Sequence, residues 1–181
     1  MNLPNKLSLL RMALIPVMVL LMYFDNVPCQ LASAAVFGLA AYTDYLDGHI
    51  ARKNKIVTDF GKFIDPVADK LLNLSAFVML TRAGLIPHWA VVVILARELS
   101  VDGLRLVAVG QGNVIAAGML GKIKTVSQIV LILWLMILRI PCFTGGFGVI
   151  STLGCLWVTA ITLWSGVDYF LRNKSCIQNA K

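Results

Sequence analysis

Charge is scarce in this chain. Only 14% of its 181 residues are charged, where an ordinary soluble domain carries about a quarter. With 59% apolar residues and a mean hydropathy of +0.81, that scarcity excludes a free-standing soluble fold. Acids are rarer than bases: nine Asp and Glu against sixteen Lys and Arg, for a net charge of +7. The basic residues border long apolar stretches with no base-stacking aromatics among them, which argues against a nucleic-acid partner. The four cysteines (Cys29, Cys142, Cys155 and Cys176) lack metal-ligand spacing. Cys29 and Cys142 both fall at the expected outer ends of spans, so a bridge is open to them, but unpaired thiols are the favoured reading. There are no internal repeats and no low-complexity tracts, and there is no length for a second soluble domain.

What the chain does have is apolar length. Six stretches, at about 7–24, 29–47, 66–83, 86–108, 119–140 and 147–170, each approach the ~20 residues a membrane helix needs. The expected fold is therefore all-α: a polytopic membrane protein with six transmembrane helices in one domain, 1–181. Lys6, Arg11, Arg52, Lys53, Lys55, Lys62, Arg105, Lys122, Lys124, Arg172, Lys174 and Lys181 gather at one set of span ends, and only Arg82 and Arg139 at the other. The positive-inside bias then puts both termini in the cytoplasm. Ala32-Ser33-Ala34 resembles a small-residue cleavage site, but cutting there would halve the second span. Pro16 is expected to kink the first span. Gly48 to Lys62 reads as a long basic inner connection, Gly110 to Gly121 as a second one, and Asn26-Val27-Pro28, Gly84–Pro87 and Pro141–Gly148 as outer turns. Arg82, His88 and Arg139 read as outer surface residues. Trp134, Trp157, Trp164, Tyr169 and Phe170 read as belt or packing residues.

Against this background one acidic run stands out: Asp44-x2-Asp47-Gly48-x2-Ala51-Arg52-x8-Gly61-x3-Asp65-x3-Asp69. An acid in hydrocarbon is costly unless it is paired, hydrated or bound to metal. Asp44 and Asp47 are three apart and Asp65 and Asp69 four apart, so each pair shares a helix face. Gly48 and Ala51 continue the first face with almost no side chain, leaving room for a planar or phosphate group. Pro66 is expected in the first turn of a helix. Folding the second pair back on the first would point four carboxylates into one inner-facing cavity. That donor set suits two Mg²⁺ or Mn²⁺ ions, which take oxygen ligands and bridge to phosphates. The alternative is a solvated rim in which each acid pairs with a nearby Lys or Arg; Lys70 reads as such a counter-charge.

The run resembles the signature of the CDP-alcohol phosphotransferases, D-x2-D-G-x2-A-R-x8-G-x3-D-x3-D, at every fixed position from Asp44 to Asp69. Within that family the chain is similar to the bacterial phosphatidylglycerophosphate synthases. The segments that carry this are Leu3-Pro4-Asn5-Lys6-Leu7 followed by Arg11, Ala96-Arg97-Glu98-Leu99 through Gly103-Leu104-Arg105, and Gly121-Lys122-Ile123-Lys124-Thr125. The resemblance implies transfer of a phosphatidyl group from CDP-diacylglycerol to sn-glycerol 3-phosphate, with release of CMP, at the inner face of the cell membrane. It implies that Asp44, Asp47 and Asp65 hold one metal ion and Asp44, Asp65 and Asp69 the other. It also implies that Asp69 is the general base, that Gly48, Ala51, Arg52 and Gly61 line the CDP site, and that the protein is a homodimer.

A phosphorylated acceptor needs fixed cations. Arg97 lies about ten residues into the fourth span, near mid-membrane at ~1.5 Å rise per residue. Arg105 follows eight residues later on nearly the same face, and Lys122 and Lys124 begin the fifth span. Charged hydrogen-bond donors of this kind suit a phosphate better than a serine acceptor. Arg97 could instead pair with Glu98 or Asp102, and topology alone accounts for the two lysines. Both lysines are expected to be flexible, screened and replaceable. The rival functions are a sister enzyme taking inositol phosphate, serine or phosphatidylglycerol, a divalent-metal carrier, and a non-catalytic scaffold. Clustering of the acids at one face counts against the carrier, and the four-Asp spacing is unexplained by a scaffold.

Overall fold

The computed structural model describes the backbone of residues 3–54, 59–110, 118–140 and 148–174; side chains are described for 7–43 and 67–110 and throughout the last two stretches. All regular structure among the described residues is helical: α1 (Leu3–Tyr23), α2 (Val27–Asn54), α3 (Asp59–Arg82), α4 (His88–Gly110), α5 (Met119–Leu138) and α6 (Gly148–Arg172). α5 and α6 have both the length and the hydropathy to cross a membrane.

Local chemistry sets several of the ends. Asn26 caps α2, its Oδ1 accepting the Cys29 N–H at 2.9 Å, so Pro28 falls in the first turn, where its missing N–H costs nothing. α3 stops at Gly84, whose φ of +73° is left-handed. The Gly84 N–H donates to Thr81 O, and the Leu85 N–H reaches back to Leu80 O, both at 3.0 Å. This is the glycine-dependent helix stop that satisfies the last carbonyls. Pro16 lies inside α1, which continues through it.

The expected inner connection is much shorter than Gly48–Lys62. α2 runs on to Asn54 and α3 begins at Asp59, leaving 55–58 outside the described residues. Ala51, Arg52 and Lys53 are good helix formers, and a lone Gly48 costs only about 1 kcal/mol in a helix. As a result Pro66 lies past the first turn of α3 rather than in it. The segments 111–117 and 141–147 lie outside the described residues, so the second inner connection and the last outer turn are not tested. Cys142 and Cys176 also lie outside them; Cys29 is an unbridged thiol.

The chain forms two compact units. The first comprises Met1–Leu85 and Ile132–Phe147, the second Ile86–Leu131 and Gly148–Lys181, so α5 is shared between them. In the first, α1 packs on α2 and α3, and α2 packs on α3. Ile15, Met18 and Met22 form the inward stripe of α1 at three- and four-residue spacing, meeting a core that includes Phe37 and Ala40 of α2 and Leu72, Ala76, Phe77 and Leu80 of α3. In the second unit α4 packs on α6.

Polarity runs inside-out relative to a soluble protein. Leu20, Leu39, Leu106, Val149 and Leu171 are exposed, whereas Ser8, Arg11, Gln30, Asn73, Glu98, Lys124, Gln128, Thr159, Thr162 and Ser165 are buried. In hydrocarbon an apolar exterior costs nothing, and polar groups turn inward to find partners.

Arg82 and His88 are exposed at helix ends, as expected; Arg82 stacks over the Tyr23 ring at 4.3 Å. Arg139 differs. Its side chain is only 8% exposed and ion-pairs with Asp25, so it ties the end of α5 to the α1–α2 turn within the first unit. A cation this close to an apolar core takes whatever carboxylate is in reach, and the turn supplies one.

Candidate functional site

The acidic run is carried by two packed helices of the first unit. Asp44, Asp47, Gly48, Ala51 and Arg52 lie on α2; Gly61, Asp65 and Asp69 lie on α3. Their spacing holds in the structure, because both segments are helical throughout. Asp69 is half-buried one turn beyond Asp65, at the point where the buried α3 face of Ala68, Leu72 and Asn73 begins. The side chains of Asp44, Asp47, Gly48, Ala51, Arg52, Gly61 and Asp65 lie outside the described residues. As a donor set, carboxylates on two packed helices fit a hard divalent cation such as Mg²⁺ or Mn²⁺.

The cations cluster in the second unit, and there the side chains are described. On α4, Arg97 donates from Nη1 to Glu98 Oε1 at 3.4 Å and from Nη2 to Ser165 Oγ of α6 at 2.5 Å. Lys124 of α5 ion-pairs with the same Glu98 oxygen. Arg97, Glu98 and Lys124 each keep a tenth or less of their side-chain surface exposed. Two turns along α4, Arg105 donates from Nε to the Tyr169 hydroxyl at 3.0 Å and lies over that ring at 5.5 Å. Gln128 of α5 donates to Thr162 of α6 at 3.5 Å. Gly166 makes room for this network: a Cβ there would lie 3.0 Å from Arg97 Cγ.

Arg97 and Lys124 are brought together at Glu98 in one buried polar cluster, Arg105 lies two turns away along α4, half-buried against Tyr169, and Lys122 is exposed and outside both. Lys124 is not a flexible, screened ammonium; it is buried and paired. Arg97 does pair with Glu98, yet its Nε remains buried with no partner among the described residues. Of the two readings for Tyr169, belt or packing, the structure gives packing: it is buried against Val101 and Leu104, and its hydroxyl also accepts from Arg105. Sequence reasoning assigned no role to Glu98 beyond pairing with Arg97, and none to Ser165 or Gly166. One signal was available: Thr159, Thr162, Ser165, Gly166 and Tyr169 recur at three- and four-residue steps on α6, a polar and small-residue face in an apolar helix.

Comparison with known proteins identifies the family. The profile of the CDP-alcohol phosphatidyltransferase family matches residues 1–167. The chain is 43% identical to the CDP-diacylglycerol–glycerol-3-phosphate 3-phosphatidyltransferase of Bacillus subtilis (strain 168), covering 99% of this chain and 98% of that one. It is 38% identical to the enzyme of the same name from Rickettsia typhi, covering 97% of each. To the probable phosphatidylglycerophosphate synthase of Mycobacterium tuberculosis (strain H37Rv) it is 39% identical, covering 94% of this chain and 81% of that one. The family is generally dependent on divalent metal. With a match over most of its length and an intact Asp44–Asp69 signature, this chain belongs to the CDP-alcohol phosphatidyltransferase family.

Proposed function

We infer that the protein transfers the phosphatidyl group of CDP-diacylglycerol to sn-glycerol 3-phosphate, forming phosphatidylglycerophosphate and CMP. Near-full-length similarity to enzymes of that name supports the reaction. The observation that carries the acceptor is the set of cations on α4 and α5, Arg97 and Lys124 buried at Glu98 and Arg105 half-buried at Tyr169, which suits a phosphate dianion better than serine. Acceptor-dependent CMP release by purified protein is the test. Release with glycerol 3-phosphate and not with serine, inositol phosphate or phosphatidylglycerol is the expected result; preference for another acceptor would replace this assignment with that sister activity. Metal flux in liposomes without CDP-lipid would point to a carrier instead.

In this reading the chain works as one catalytic domain of six transmembrane helices. Both termini are cytoplasmic, the site opens to the inner leaflet, and the protein is a homodimer. Gly48, Ala51, Arg52 and Gly61 line the CDP site. Asp44, Asp47 and Asp65 would hold one divalent ion, and Asp44, Asp65 and Asp69 a second. When bound, such ions neutralise the donor diphosphate and the charge growing on departing CMP. Asp69 takes the proton of the acceptor hydroxyl, whose oxygen then attacks in line at the phosphorus next to the lipid. Activity is expected to vanish in excess chelator and to return with Mg²⁺ or Mn²⁺ but poorly with Ca²⁺, which is larger and looser in geometry. Full turnover in chelator would exclude this donor-set assignment.

Arg105→Ala is expected to raise the KM for glycerol 3-phosphate by roughly 10- to 150-fold, the equivalent of about 1.5–3 kcal/mol for one charged hydrogen-bonding contact. The donor KM should change much less. Arg172→Ala is the control, because that side chain is 71% exposed and, among the described residues, pairs only with Asp168 one turn away, a contact worth little. Arg139 cannot serve as a control, because its side chain is buried and holds the α1–α2 turn through Asp25. Equal damage to both substrate KM values would assign Arg105 to folding or to the diphosphate.

A further inference from the structure

The two arginines of α4 are held in opposite ways. Arg97 is gripped by its fork: Nη1 goes to Glu98 and Nη2 to Ser165, and Nε is left over. Arg105 is gripped by its stem end: Nε goes to the Tyr169 hydroxyl and the guanidinium lies over the ring. Among the described residues, Nη1 and Nη2 of Arg105 take no protein partner. A guanidinium recognises phosphate best through two parallel N–H groups. Arg105 keeps such an edge available; Arg97 has committed its fork to the protein.

Tyr169 is built to hold that orientation. It is 7% exposed and packs with Val101 and Leu104 of α4, with Phe170 beside it. Its carbonyl accepts both the backbone N–H and the side-chain amide of Asn173, at 3.2 and 2.7 Å, which locks the last turn of α6. The ring is thus pinned from α4 and from its own helix, and the hydroxyl has a defined place from which to meet Nε. Two simultaneous contacts, one at Nε and one on the cation's face, restrict both the tilt and the rotation of the guanidinium.

We propose that Tyr169 is a positioning residue for acceptor selection: it holds Arg105 by Nε so that the Nη1–Nη2 edge is presented to the phosphate monoester of the acceptor. This rests on the acceptor reading above and divides the labour within it. Arg105 is the bidentate clamp, while Arg97, with Glu98 and Lys124, supplies fixed charge two turns away along α4. Tyr169 acts through Arg105 and does not itself touch the reacting atoms.

The test is a double-substitution cycle on the full chain in detergent. Tyr169→Phe keeps the ring and removes only the hydroxyl. It is expected to raise the KM for glycerol 3-phosphate about 5- to 10-fold, the scale of one net hydrogen bond, with kcat, the donor KM and the unfolding temperature nearly unchanged. Arg105→Lys, which cannot bind bidentately, should raise the same KM further. Adding Tyr169→Phe to Arg105→Lys should then do no more, because the hydroxyl has nothing left to aim. Multiplying effects, or an unchanged KM in Tyr169→Phe, would overturn the proposal. Calorimetric binding of glycerol 3-phosphate without donor separates this from the activity itself. Binding weakened by Tyr169→Phe in a protein that releases no CMP would sink the proposed reaction and leave the clamp standing. Binding equal in wild type and variant, or absent from both, would sink the clamp whatever the activity.

Discussion

Asp69→Asn is expected to lower CMP release by roughly 10²- to 10⁴-fold, the range that one positioned general base contributes. Substantial binding of CDP-diacylglycerol should remain, since in the proposed reading the donor is held mainly through the α2 half of the signature and the other acids. Asp69 is the last acid of the run, half-buried at the start of the tightly packed part of α3. That is a rigid place from which to reach an acceptor hydroxyl. Asparagine preserves shape and hydrogen bonding but cannot take a proton. Asp44→Asn and Asp65→Asn should behave differently, losing divalent-cation affinity and donor affinity together. Near-normal turnover in Asp69→Asn would remove it as the base. Unaltered Mg²⁺ or Mn²⁺ affinity by calorimetry in Asp44→Asn or Asp65→Asn would remove those two as shared ligands.

Lys124→Ala is expected to destabilise the protein by roughly 3–5 kcal/mol, because it leaves the buried Glu98 carboxylate without its nearest cation. Thermal unfolding in detergent reads this directly. Lys122→Ala, at an exposed position two residues earlier, should leave stability unchanged. The sharper test replaces both partners. Glu98→Leu with Lys124→Met substitutes apolar groups of similar size and should restore most of the lost stability, since no charge is then stranded. It should not restore normal acceptor KM, because the proposed acceptor site loses the Lys124 cation and Arg97 loses the Glu98 anchor of its Nη1. If Lys124→Ala unfolds no earlier than wild type, the ion pair is not a structural element. If the double variant binds acceptor normally, the pair serves stability alone.

Much of this was legible without coordinates. The low charge content and the long apolar runs point to membrane helices, and each of the six expected stretches is helical over most of its described length, with ends that differ from the expected ones. Errors concentrated where a local signal was read too strongly. Gly48 suggested a helix end, yet Ala51, Arg52 and Lys53 carry α2 through to Asn54. Lys124 was grouped with Lys122 by charge and proximity. One hundred degrees of turn per residue puts the two on different faces, and only Lys124 meets Glu98.

The sequence by itself determined the helical class, the spacing of the four aspartates on shared helix faces, and the family. These are properties of single helices and short segments: periodicity, the cost of charge in an apolar stretch, and an ordered motif. Only the tertiary structure decided who answers whom. Glu98 meets Lys124 across 26 residues, Arg105 meets Tyr169 across 64, Arg97 meets Ser165 across 68, and Arg139 meets Asp25 across 114. Helical spacing says which side chains share a face but not which face of another helix lies opposite. That is settled by packing, and it is packing that turned two similar arginines on one helix into a committed fork and an open one.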